Sequence, residues 1–157
     1  MPATVLLEDI VEALEMASDE AHWFVDLENG EVHRLSLDLL RSAEEAEDED
    51  EELDIPAWQE DEWMIAKRII FHGENFERLP TKLDVHEWQV MKDFADSAQN
   101  PRISGELQDA IHGAGAFRMF KSVIHRFKIE QQWYAFRLET LEKIARKWCE
   151  GHGVPWK

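Results

Sequence analysis

Trp23-Phe24-Val25-Asp26-Leu27-Glu28-Asn29-Gly30-Glu31-Val32-His33-Arg34-Leu35-Ser36 is the stretch on which the fold class turns. Trp23, Val25 and Leu27 alternate with Phe24, Asp26 and Glu28, and Val32, Arg34 and Ser36 alternate with His33, Leu35 and Leu37. That period of two belongs to strands. Asn29-Gly30 supplies the two positive-φ positions of a type I′ turn between them, so a β-hairpin is predicted here.

Outside the hairpin the period changes to that of a helix. Val5, Leu6, Ile10, Val11, Leu14 and Ala17 recur at helical spacing, with Glu8, Asp9, Glu12 and Glu15 opposite, so an amphipathic helix precedes the hairpin. Ile55-Pro56 opens a second helix that buries Trp58, Ile65 and Ile69, with Trp63, Ala66 and Ile70 as further candidates for that face, and stops at Gly73. Asp84 caps a third in capping-box register with Glu87, burying Val85, Trp88, Met91, Phe94 and Ala98. Ser104 caps a short helix to His112 with Leu107 and Ile111 inward. The next packs Phe117, Phe120, Ile124 and Phe127, and the last runs from about Glu130 to Glu150 on Trp133, Phe136, Leu141, Ile144, Ala145 and Trp148. The expected fold is therefore α+β and mainly helical: an N-terminal helix and a β-hairpin followed by about five helices, in a single domain over residues 1–157.

With 44% hydrophobic side chains, seven Trp and eight Phe in 157 residues, the chain can fill a core despite a net charge of -17. No apolar run approaches the roughly 20 residues of a membrane span. The single Cys149 makes neither an intramolecular disulfide nor a multi-thiolate zinc site, and the acids at 8, 9 and 12 replace the apolar stretch of a signal peptide. A cytoplasmic protein without cofactor or metal is the expectation.

Charge divides the chain unevenly. Residues 1–64 hold 22 acids and two bases, Arg34 and Arg41, whereas residues from 102 onward hold ten bases and six acids. Nine of the acids fall in the eleven positions 44–54, which reads as a flexible, solvated acidic segment at about 43–54. A calcium loop would need a Gly at its sixth position, and none is present.

Two constellations can carry chemistry. Arg118, Lys121, His125 and Lys128 fall at i, i+3, i+7 and i+10, which confines them to one helix stripe. They follow Gly113 and Gly115 at a helix start, where backbone N–H groups are free to meet an anion. With Arg137 from the last helix, these residues form a candidate surface for an anionic ligand or protein partner. A solvated face paired with the chain's own acids is the bland alternative, and the run at 44–54 is the nearest such competitor. Asp109 and His112, one turn apart, are the candidate acid-base pair of a small enzyme, with Arg118 as its anion holder; a surface hydrogen bond is the plainer account. Two helices around a Gly-containing turn loosely fit a helix-turn-helix, but the acidity of the chain and the packing of the second helix argue against sequence-specific DNA reading. The aromatics Trp133, Tyr134 and Phe136 read mainly as core; exposure of one of them, or a Tyr134 hydroxyl bonded across an interface, is the alternative, and a homo-oligomer is compatible with it.

Gly113-Ala-Gly-Ala-Phe-Arg-Met-Phe-Lys121, Trp133-Tyr134-Ala-Phe-Arg137 and Ala145-Arg-Lys-Trp148, with Leu79-Pro80 and Met91-Lys-Asp-Phe94 upstream, resemble bacterial Uncharacterised Protein Family 0158. The resemblance implies a small bacterial cytosolic protein, and carries over neither an activity nor a catalytic residue. Met119 stands where it implies a second Arg, which thins the positive face.

Overall fold

A computed structural model describes residues 2–157. The chain is α+β and mainly helical, with a three-stranded antiparallel sheet in the order β2-β1-β3. Helix α1 (Leu7–Glu15) precedes strands β1 (Ala21–Asp26) and β2 (Val32–Ser36), and helices α2 (Leu37–Glu45) and α3 (Glu60–Phe71) precede the short β3 (Phe76–Arg78). Then follow α4 (Lys82–Val85), α5 (Glu87–Ser97), α6 (Pro101–Ala110), α7 (Ala116–Arg126) and α8 (Glu130–His152). Among these residues no helix is long and apolar enough to cross a membrane. The packing divides into two compact units, one of residues 1–82 with 144–157, the other of residues 83–143.

In the first unit, β1 pairs with β2 in the register Trp23↔Arg34, Phe24↔His33 and Val25↔Val32, and with β3 through Phe24↔Arg78 and Asp26↔Phe76. The hairpin stands as expected, but its turn does not. Among described residues other than glycine only His86 and Lys128 have positive φ, so Asn29 does not take the type I′ conformation. The loop instead spans residues 27–31. The Glu28 N–H donates to Asp26 Oδ1 (2.9 Å), an Asx turn that starts the reversal early. The Gly30 N–H then closes it on the Asp26 carbonyl (2.7 Å). Gly30 sits at φ 78°, and a Cβ there would lie 2.3 Å from the Thr4 carbonyl oxygen. Glycine is thus required twice over, for its conformation and for the room it leaves.

Helix α2 occupies part of what the charge pattern presents as a solvated run. Ser36 caps it, its Oγ accepting from the Leu39 N–H (3.3 Å), and Leu39, Leu40 and Ala43 are buried. Glu44 and Glu45 are its last turn. Residues 46–56 carry no regular element, and Leu53 and Ile55 pack against a core of Phe24, Leu35, Leu39, Leu40, Trp63 and Phe76. In α3 the buried face is Trp63, Ala66 and Ile69; Trp58, expected inside, lies in a preceding 3₁₀ turn and is 77% exposed. The Ser36 N–H donates to Glu62 Oε1 (2.7 Å), tying the end of the hairpin to α3. Val5 bridges Trp156 in parallel, the Val5 N–H donating to the Pro155 carbonyl (2.9 Å) and the Lys157 N–H to the Val5 carbonyl (3.0 Å).

The second unit is helical throughout. His86 adopts φ 56° and separates α4 from α5, so Asp84, expected as the cap, lies within α4 and α5 starts at Glu87: a left-handed residue crowds its own Cβ against the next carbonyl and interrupts the helix. Trp88 is consequently 43% exposed, while Val90, Met91, Phe94 and Ala95 turn inward. Helix α6 is capped by Asn100, which accepts from the N–H groups of Arg102 and Ile103, with Pro101 at the first position; Ser104 Oγ donates instead to the Ala95 carbonyl (2.8 Å). The centre of the core is aromatic. Phe94, Phe120 and Trp133 meet edge to face, with ring centroids 6.2, 5.3 and 4.8 Å apart.

Replacing Gly30 with Ala is expected to cost about 1–3 kcal/mol, read as a lower urea midpoint with an unchanged slope. Phe120→Ala empties a site that is 0% exposed and is expected to cost about 3–5 kcal/mol. A shift of less than about 1 kcal/mol in calorimetry would show that α7 is turned the other way.

Candidate functional site

Helix α7 begins at Gly115, a left-handed residue with φ 71° that offers no side-chain cap. Phe120, Val123 and Ile124 point inward, which leaves Arg118, Lys121 and His125 exposed along one face, as their spacing requires. The structure corrects one part of the expected stripe. Phe117 is 50% exposed rather than packed, and the Lys121 ammonium lies 4.8 Å from its ring centroid. A cation over an aromatic face is worth about 0.5–1 kcal/mol at an exposed position. Met119, 52% exposed, stands beside them in sequence. The helix ends in a Schellman motif: the Ile129 N–H donates to the Ile124 carbonyl (3.1 Å) with Lys128 left-handed at φ 57°.

The other bases of this unit are mostly engaged. Arg126 meets Glu106 at 2.9 Å, Lys92 meets Asp96 at 2.7 Å and Lys143 meets Glu139 at 3.6 Å. Arg137 clasps Glu87 as a fork, Nη2 to Oε1 at 2.5 Å and Nε to Oε2 at 3.4 Å, both side chains about three-quarters buried. Its guanidinium is therefore committed to α5. His125 Nδ1 lies 3.1 Å from Glu130 Oε1. Of the residues assembled from the sequence, the structure places Arg118 and Lys121 together with no carboxylate partner among the described residues. Gly113 and Gly115 lead into them, and His125 shares its position with Glu130.

At the candidate acid-base pair, His112 Nδ1 is 2.5 Å from the Gln108 carbonyl, so that nitrogen donates within its own helix end. Its ring stands edge-on to Trp88, with centroids 6.1 Å apart, and the Trp88 Nε1–H donates to the Ile111 carbonyl (2.9 Å). Asp109 contributes its backbone carbonyl to the His112 N–H and makes no side-chain bond to the imidazole among the described contacts. Among the described residues no group of three His, Cys, Asp or Glu side chains is placed to hold a metal ion. Burial, followed by the charge of Glu150, pushes the Cys149 thiol up to about 11.

The acidic run takes its contacts from α3. Lys67 Nζ donates to the Glu51 carbonyl (3.2 Å) and His72 Nε2 lies 2.6 Å from Glu49 Oε2. Between run and helix lies a cleft of about 500 Å³ lined by Glu49, Asp50, Glu52, Trp63, Met64 and Lys67 among others. Of these acids, Glu49 is thus engaged by His72, while Lys67 fixes the backbone of the run at Glu51.

No protein-family model, curated protein or solved structure matches this chain.

The thiol of Cys149 is 0% exposed, and a thiol with a pKa near 11 is protonated at neutral pH. Alkylation by iodoacetamide at pH 7.5 is expected to be negligible in the folded protein and complete in denaturant, as followed by intact mass.

Proposed function

We propose that the chain is a non-enzymatic binding module whose docking face on α7 receives an acidic segment of a protein partner. The observation that carries this reading is the pair Arg118 and Lys121: in a protein with 34 acids and 17 bases, two neighbouring cations remain exposed with no acid beside them among the described residues. Their surroundings favour a protein over a small ion. Phe117 and Met119 expose about half of their surfaces on the same helix, offering apolar area that a lone phosphate would not cover. The stem of Lys121 is already aligned by the Phe117 ring, which lowers the entropy lost on pairing.

The strength of such a face is modest and salt-sensitive. Each exposed ion pair contributes about 0.2–1 kcal/mol, and charges further apart than about 8 Å are screened at physiological salt. Specificity then rests on the aromatic and thioether contacts, as at other interfaces.

Arg118→Glu combined with Lys121→Glu changes two solvent-facing positions and is expected to leave the fold intact by circular dichroism. Fluorescein-labelled polyglutamate, titrated at low and at physiological salt, is expected to bind the wild type and to lose about tenfold in affinity to the double variant at low salt. Equal affinity for both, or no binding by the wild type at low salt, overturns the reading. A parallel variant with Ser in place of the acids of 47–52 measures how far the chain's own run competes.

A further inference from the structure

A second concavity, of about 430 Å³, lies in the first unit against the sheet. Its floor follows from strand geometry. His22 and Phe24 are two positions apart on β1 and so share a face. Phe24 is the cross-strand partner of Arg78 on β3, which brings the Arg78 side chain to that face as well. From α2 the groove takes Leu37, Leu40 and Arg41, one stripe of that helix, and from α3 it takes Ile69 and Ile70.

Two arginines, Arg41 and Arg78, thus line the groove beside its apolar residues. Arg41 is one of only two bases among the first 64 residues, against 22 acids. Its partner Asp38 is 4.0 Å away on the same helix, and both side chains are largely exposed, so the pair holds Arg41 weakly. Arg78 makes no ion pair among the described residues. Glu44, one turn beyond Arg41, also lines the groove, leaving a single excess positive charge when His22 is neutral. Burial, and then the charge of Arg78, holds the His22 imidazole below its ordinary value, which keeps it neutral and able to donate or accept one hydrogen bond.

We infer that this groove binds a small apolar carboxylic acid, with its carboxylate at Arg41 and Arg78 and its hydrocarbon body on Phe24, Leu40, Ile69 and Ile70. Guanidinium forks match a carboxylate in geometry as well as in charge. The volume falls in the range of small-molecule sites, and an apolar floor with few convergent polar groups is their usual lining. One excess positive charge in a chain of net -17 suits a monoanion better than a phosphate dianion. The groove shares no residue with the α7 face, and each can fail without the other.

Calorimetric titration of the full chain with butanoate, hexanoate and octanoate below their micellar concentrations tests the assignment. Affinity is expected to rise about fourfold per added methylene, as burial of hydrocarbon predicts. Octan-1-ol, which keeps the chain and lacks the charge, is expected to bind at least about tenfold more weakly than octanoate. Arg41→Gln and Arg78→Gln, both at exposed positions, are each expected to weaken octanoate severalfold with unchanged circular dichroism. No octanoate binding at millimolar concentration, equal binding of acid and alcohol, or indifference to both substitutions overturns the proposal. Tighter binding of octyl phosphate than of octanoate overturns the choice of carboxylate. Octanoate binding is expected to survive Arg118→Glu with Lys121→Glu; its loss there would place the anion on α7 and overturn the groove.

Discussion

The first unit is organised around one buried carboxylate. Asp26 is 0% exposed, the sole charged side chain among the buried residues described, and a charge removed from water must be met by donors or it destabilises the fold that encloses it. Oδ2 accepts from Arg68 Nη2 of α3 (3.3 Å), and Oδ1 from the Glu28 N–H of the hairpin loop (2.9 Å). Its own backbone closes the hairpin through the Glu31 carbonyl and the Gly30 N–H, and opposite it in the sheet stands Phe76 of β3. Arg68 in turn lies over the Phe76 ring at 5.3 Å. Loop, third strand and helix thus meet at a single group. The five-residue loop replaces a two-residue turn at this point: the carboxylate that anchors α3 also accepts from the Glu28 amide.

That coupling explains which parts of the fold were legible in the sequence. Alternation around residues 23–35 reports a local property, and the hairpin was legible from it. The turn type was not, because Asn29-Gly30 reads as a two-residue turn, which leaves out the Asx turn that Asp26 makes with the Glu28 amide. Helix α2 was hidden by its own composition: Glu44 and Glu45 read with the acidic run, although Ser36 and the Leu39-Leu40-Ala43 pattern carried its signal. Extending the helical spacing of their neighbours assigns Trp58 and Trp88 to the interior, yet Trp58 lies in the 3₁₀ turn before α3 and Trp88 follows the left-handed His86, and both breaks shift the phase of the helix. Asn100 outcompeted Ser104 as a cap because Pro101 sets the first helical residue one step after it.

The two sites differ in the same way. Exposure of Arg118, Lys121 and His125 was readable because it follows from 100° steps on one helix and from the burial of Phe120. Commitment of Arg137 to Glu87 was not, since the partners are 50 residues apart and only the packing of α5 with α8 unites them. The groove at His22, Arg41 and Arg78 draws on four elements, one of them a three-residue strand too short to register as a pattern. Its only sequence trace was Arg41, one of two bases in an otherwise acidic half.

The chain also enforces an order of events. Residues 83–143 form the second unit as one uninterrupted segment, whereas the first unit gathers residues 1–82 and 144–157, with Val5 bridged to Trp156. During synthesis from the N-terminus, the second unit has all of its partners before the first has its last ones. Val5, fully enclosed in the finished protein, and the start of α1 must wait for the C-terminal segment to emerge.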